Sequence, residues 1–286
     1  MTPSQYCREK VRTAGSSFYY STLFLAPVQR DAITTVHAYA REIIEVLDEC
    51  HEPAIARAKL DWWRHEIRAT LDGDAHHPVC KALIPVLEDH NLPESELIEL
   101  IDGVEASLNQ SRYQTYQELS AYCRRIGAPV GMLSASVLEC TSSATAEFAR
   151  ELGFVFQLTR VVRDIRLDAR RGRVYVPAQE LAQFDVPVAH ILNGVESENF
   201  YSLMAFQFDR IAQGYDHAMA RLPERDRFQL LPALILTSIY RATLDEIRND
   251  GYRLLQHRVT LPALRRLWIA WRTQRREKRR NKRLHG

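Results

Sequence analysis

Apolar residues recur along the chain at spacings of three and four, the period of a helix that buries one face. Between 27 and 50 the series runs Ile33, Val36, Ala40, Ile43/Ile44 and Leu47, and between 53 and 73 Leu60, Trp63 and Ile67 share a side. Start and stop signals frame these runs. Thr2 before Pro3 opens a first helix ending near Gly15, and Gly251 closes a late one. Shorter helices are predicted over 78–88 and 93–108, longer ones over 197–222 and 224–249, and a loop over 177–193. The segments 118–139 and 145–168 are apolar on most faces, which predicts helices at the centre of a bundle. Gly127, Pro129 and Gly131 interrupt the first of these; such residues weaken a helix by about 1 kcal/mol for Gly and about 3 for Pro, so a kink or the close approach of a ligand is expected there. No strand alternation of useful length occurs, and the expected fold class is all-α.

Composition agrees. A chain of 286 residues, 46% hydrophobic and 26% charged, has room for a core that encloses a ligand cavity. Only 11 Gly and 12 Pro argue against sandwiches and propellers. The five cysteines stand singly, which disfavours a disulfide framework or a zinc module and suggests a reducing compartment. The opening MTPSQYCREKVRTAG carries charges where a signal peptide needs an apolar run, and the longest apolar stretch, 228–240, falls short of the roughly 18 residues of a membrane span. A soluble, cytoplasmic protein is expected. Charge is divided unevenly: 264–286 holds ten Lys/Arg and one acid, so this stretch carries +9 of a total of +2 and leaves −7 on 1–263. With Leu264, Leu267, Trp268 and Trp271 ahead of the basic run, the tail reads either as a surface anchor for anionic lipid or as a solvated terminus. The acidic remainder and the lack of a recognition motif argue against nucleic acid. GxGxxG and P-loop signatures are absent, and His65-Glu66 has Ala69 where a zinc-binding motif needs its second histidine.

Two segments place acids on faces that are otherwise apolar. In REIIEVLDE, Glu45 and Asp48 are three apart; in QLTRVVRDIRLDARRGRVYVP, Asp164 and Asp168 are four apart and therefore stacked. Desolvated carboxylates need compensating charge, which divalent cations supply. Mg²⁺ suits one or two carboxylates plus substrate phosphates. Arg41, Arg160, Arg163, Arg170, Arg171 and Arg173 surround the same segments, and guanidinium forks match phosphate oxygens. Spacing alone admits another arrangement, in which Arg160 pairs with Asp164 and Arg171 offsets the two acids.

At these residues the chain resembles the squalene/phytoene synthase family, in particular the bacterial presqualene diphosphate synthases of hopanoid biosynthesis. The likeness runs through SSFYYSTLFLAP at 16–27, AYAREIIEVLDE at 38–49, ARAKLDWWRHEI at 56–67, QLTRVVRDIRLDARRGRVYVP at 157–177 and IYRATLDEIRNDGY at 239–252. It implies the isoprenoid synthase helical bundle around a central cavity, spanning 1–263, with 264–286 as a basic amphipathic tail. It also implies head-to-head condensation of two farnesyl diphosphates to presqualene diphosphate, with Mg²⁺ held by two aspartate-rich motifs. A nicotinamide-binding signature is absent, so no NADPH is expected.

The family pattern is incomplete here. The two adjacent aspartates and the third that usually form the first motif are Ile44, Glu45 and Asp48; the usual Asn, Asp, Glu and Asp of the second are Arg160, Asp164, Leu167 and Asp168. The usual Tyr and Cys near the first motif are His37 and Ala40. The resemblance assigns Asp48, Asp164, Asp168 and Tyr175 to catalysis, and Glu45, Asp48, Asp164 and Asp168 to metal. It assigns Ser17, Phe18, Arg41, Tyr122, Gln157, Arg163, Arg173 and Tyr240 to substrate. Arg160, also assigned to substrate, is expected to stand in part for one Mg²⁺, paired with Asp164 and across the site with Asp48, and to hold either a diphosphate or only the aspartates. Phe18, Tyr19, Tyr122, Phe154, Phe156 and Tyr240 are candidates to line an apolar cavity that shields a cation. Two functions fit: a farnesyl-transferring enzyme at a membrane face, or a catalytically impaired relative that binds prenyl lipid or a partner, like the family's assembly-factor branch in mitochondria.

Overall fold

The computed structural model describes residues 1–14, 16–50, 52–140 and 142–285. Among these the chain forms fourteen α-helices. They are α1 (Pro3–Ala14), α2 (Ser16–Thr22), α3 (Pro27–Glu49), α4 (Pro53–Leu71), α5 (Pro78–His90), α6 (Glu94–Ala106) and α7 (Tyr116–Val137). Then follow α8 (Ser143–Arg163), α9 (Ile165–Arg170), α10 (Ala178–Gln183), α11 (Val188–Leu192), α12 (Glu198–Ala220), α13 (Leu231–Asn249) and α14 (Ala263–His285). Pairing of β type among the described residues is limited to one bridge, between Arg112 and Val174. No described helix is long and apolar enough to cross a membrane.

The helices begin where local chemistry satisfies their free N–H groups. Proline fills the first turn of α3, α4 and α5, where its missing N–H is harmless. Thr115, Ser142 and Ser197 cap α7, α8 and α12 by accepting from the N–H of Glu118, Thr145 and Phe200. Asn91 ends α5 in the left-handed conformation that asparagine tolerates. The expected stop of the first helix at Gly15 lies outside the described residues.

Three elements differ from the sequence pattern. The 177–193 loop contains α10 and α11, too short to give a periodic signal. The helix expected from 224 starts as one 3-10 turn, Glu224–Asp226, with α13 proper beginning at Leu231. The helix expected to run through 145–168 breaks at Asp164, between α8 and α9. Adjacent residues of a continuous helix do not face each other. The break accompanies a two-pronged contact of Arg163 with the neighbouring Asp164, at 3.0 and 2.6 Å.

α7 and α8 form the axis of the bundle and touch backbone to backbone. A methyl group on Gly127 would lie 2.1 Å from the Gly153 carbonyl oxygen, and one on Gly131 would lie 2.2 Å from that of Ala149. The glycines inside α7 thus serve the approach of a neighbouring helix, Gly127 and Gly131 also line the cavity, and α7 continues past Pro129 unbroken. This contact fixes the register that brings Gln157 and Arg160 of α8 to the cavity wall. Gly153→Ala drives its new methyl into the Gly127 carbonyl oxygen at a distance no packing tolerates. The expected loss is about 1–3 kcal/mol or more, read as a lower urea midpoint with unchanged slope; an unchanged midpoint would contradict the close packing.

Candidate active site

The cavity of about 610 Å³ lies among α2, α3, α7, α8 and α13, a size usual for ligand pockets. Its character changes along the helices. Ile33 and His37 of α3, Leu152 and Phe156 of α8, and Leu236 of α13 make a mostly apolar wall, to which Phe18 and Tyr240 contribute. Nearer the C-terminal ends of α3 and α8 the wall is ionic, with Arg41, Glu45 and Asp48 facing Arg160, Arg163, Asp164, Asp168 and Arg171. His37 sits 4.0 Å, ring to ring, from Phe18, and burial lowers its pKa to about 4, so its imidazole is neutral at neutral pH.

Every acid of the site has a cationic neighbour. Arg171 reaches Asp48 at 2.8 Å and Arg173 reaches it at 3.4 Å, while Arg173 also donates to the Leu47 carbonyl. Glu45 pairs with Arg41 at 2.7 Å and with Lys10 at 2.5 Å. Arg163 grips Asp164, which Arg258 approaches at 3.4 Å. Arg160 lies 3.7 Å from Asp168. The expected pairing of Arg160 with Asp164 and Asp48 is therefore replaced: Arg163 takes Asp164 because of the helix break, and Arg171 and Arg173 take Asp48. Burial opposes the charge on Asp164, yet Arg163, Arg258 and Arg160 outweigh it and hold its carboxyl below the usual value. At Asp168 burial wins over the pull of Arg160, with Asp164 and Asp48 adding repulsion, and the pKa rises to about 6. Asp168 Oδ2 and Arg160 Nε are both buried without a hydrogen-bond partner.

Arg160 is held from below. Its guanidinium lies 5.6 Å from the Tyr175 ring, and Tyr175 stacks with Tyr122 and Tyr113 at 5.2 and 5.7 Å. Gln157 donates to the Tyr122 hydroxyl at 3.3 Å. Tyr122, Tyr175 and Arg173 lie behind the cavity wall and position the residues that form it, whereas Ser17, Phe18, Arg41, Gln157, Arg163 and Tyr240 reach it directly. Among the aromatic candidates Phe156 also lines it, but Tyr19 is exposed and Phe154 packs away from it, under Arg124. Arg258 and Lys10 were not legible as site residues: each comes from a segment remote in sequence, with no motif around it.

Magnesium is tested by the same geometry. Ile44 lines the cavity at a position where the family pattern has an aspartate, and Leu167 where it has a glutamate. Among the described residues no group of three or more His, Cys, Asp or Glu side chains is placed to hold a metal ion. The carboxylates that remain are already paired with guanidinium or ammonium groups. These residues do not fit the multi-ion cradle that the resemblance implies.

The raised pKa of Asp168 has a testable sign. Its folded value of about 6 lies above the ordinary 3.8, so the ionised carboxylate opposes folding, with no penalty below about pH 4 and the full penalty above about pH 6. Asp168→Asn gains stability relative to the parent chain as pH rises through that window, by about 3 kcal/mol in urea titrations. A stability difference that does not change with pH would contradict the assignment.

Comparison with known proteins agrees with this architecture. The squalene/phytoene synthase family profile matches residues 11–265. A 15-cis-phytoene synthase of Synechocystis sp. is 29% identical over 93% of this chain and 84% of its own length. A phytoene synthase of Mycobacterium tuberculosis is 31% identical over 91% of this chain and 86% of its own. Among solved structures, squalene synthase HpnC from Alicyclobacillus acidocaldarius superposes with a TM-score of 0.75 at 25% identity, covering 87% of this chain and 94% of that one. A dehydrosqualene synthase in complex with ligand gives 0.81 at 19% identity over 96% of both chains, a likeness of fold. With the profile spanning the bundle and the helices arranged as in these structures, the chain belongs to the squalene/phytoene synthase family.

Proposed function

We propose that the cavity binds farnesyl diphosphate, its diphosphate on the guanidinium groups at the ionic end and its prenyl chain along Phe18, Phe156 and Tyr240. The observation that carries this reading is a surplus of cations beside an apolar cavity. Arg41, Arg160, Arg163, Arg171 and Arg258 line the cavity with Glu45, Asp48, Asp164 and Asp168, five guanidiniums against four carboxylates, and Arg173 adds a further cation beside Asp48 from behind the wall. An anion with several oxygens satisfies the excess, and Arg160 Nε is a buried donor without a partner.

Head-to-head transfer is a slow reaction of the same site. One farnesyl group leaves its diphosphate and joins the double bond of a second farnesyl diphosphate; loss of a proton gives presqualene diphosphate, with no reductant needed. Guanidiniums stabilise the departing diphosphate, and the apolar wall excludes water from the cation. They do not supply the inner-sphere oxygen contacts of a metal cluster, which is why turnover is low. A second reading, a binding or assembly protein without turnover, is favoured by Ile44 and Leu167 at ligand positions.

The test is chromatography of products from labelled farnesyl diphosphate with Mg²⁺ and detergent, beside a phytoene synthase control on its own substrate. The parent chain is expected to yield presqualene diphosphate slowly, and the Ile44→Asp, Arg160→Asn double variant to yield it roughly tenfold faster or more. Unchanged substrate with both proteins, while binding persists, would make the non-catalytic reading the account of this chain.

A further inference from the structure

The outward face of α14 is built differently from its packed face. Arg266, Ala270, Thr273 and Glu277, at helical spacing, turn toward α13 and α2. Ala270 and Glu277 are buried, and Glu277 is clamped by Arg227 at 2.7 Å and Arg276 at 2.9 Å. Farther along, Arg280 pairs with Glu224. The basic segment is thus a docked helix. On its opposite side Leu264, Leu267, Trp268 and Trp271 are 81, 43, 52 and 44% exposed. Leu264 stands three and four residues before Leu267 and Trp268, which in turn stand four and three before Trp271, so the four form a single stripe.

We infer that this stripe and the arginines beyond it are a docking face for an anionic lipid bilayer, placing the cavity next to the membrane. The order along the axis suits the interface: tryptophans first, then Arg275, Lys278, Arg279, Lys282 and Arg283. Indole rings settle at the headgroup boundary, and basic side chains reach lipid phosphates. Arg272 and Arg275 lie over the Trp268 and Trp271 rings at 5.1 and 4.8 Å, so cation and apolar surface form one patch. A segment carrying +9 repels the same segment of another copy, which favours an anionic surface over self-association through this face.

The position of the helix links the patch to the cavity. Arg266, on the packed side of α14, and Val259 and Leu261, just before the helix, belong to the cavity wall. One helix, roughly 10–12 Å thick, separates the outward stripe from that wall. Docking through the stripe holds the cavity wall about one helix diameter from the bilayer. The docking face stands without the reading of the cavity: farnesyl diphosphate binding in lipid-free buffer reports on one, vesicle binding on the other.

The experiment is co-sedimentation of the full chain with phosphatidylcholine vesicles, with and without phosphatidylglycerol, together with tryptophan emission. Binding is expected only to the anionic vesicles, with a blue shift, and is expected to weaken with salt. Arg279→Gln with Arg283→Gln should lower the partition about fivefold per charge removed. Trp268→Ser with Trp271→Ser should abolish the shift at unchanged thermal stability, since both rings are on the exposed face. Three results would overturn the inference: equal binding to neutral vesicles, preference for single-stranded RNA over vesicles, or a salt-sensitive dimer formed through the stripe without lipid.

Discussion

Carboxylates buried beside an apolar cavity need a cation close by, because desolvation penalises their charged form. In this chain the cations are guanidiniums supplied from α3, α8, the turn after α9 and the segment after α13, joined by the Lys10 ammonium of α1 at Glu45. The consequences reach through the site. Asp164 keeps its charge because three arginines surround it, while Asp168, with the longest contact of the four, rises to about 6. The tyrosine stack lies behind Arg160, whose guanidinium is 5.6 Å from the Tyr175 ring and 3.7 Å from Asp168. Arg160 stands at the edge of the ionic network, at a position where the family pattern has a neutral asparagine.

The axis of the bundle sets where these groups meet. Gly127, Gly131 and Gly153 let α7 and α8 approach until backbone meets backbone, which leaves the space of the cavity to the α3 and α13 sides. The break at Asp164 then turns α9 so that Asp168 and Arg171 come back toward α3. Without that turn, Arg163 and Asp164 would point apart along a continuous helix.

Much of this was legible before the structure. The long helices follow from three-and-four spacing and from prolines in first turns, and the ionic ends of two segments followed from acids and arginines on apolar faces. Pairing was not legible. Spacing places Arg160 against Asp164, four apart on an unbroken helix, whereas a one-residue contact across a break leaves no periodic signal. Arg258 and Lys10 carry no signal in the sequence, because tertiary packing alone brings them to the site. Tyr122 and Tyr175 carry the right residue type at the right position, yet sequence cannot distinguish a ring on a cavity wall from one stacked behind it. Ile44 and Leu167 were legible as departures, and the structure gives those departures a physical meaning: the charge balance is closed by arginine.

The central proposal is that guanidiniums hold the diphosphate at this site without a metal cluster. Calorimetric titration of the full chain with farnesyl thiodiphosphate, first in EDTA and then in Mg²⁺, tests it most directly. The account predicts binding in EDTA with an affinity within about tenfold of that in Mg²⁺, a difference of about 1.4 kcal/mol. Binding that appears only with Mg²⁺, accompanied by uptake of several ions per chain, would contradict it.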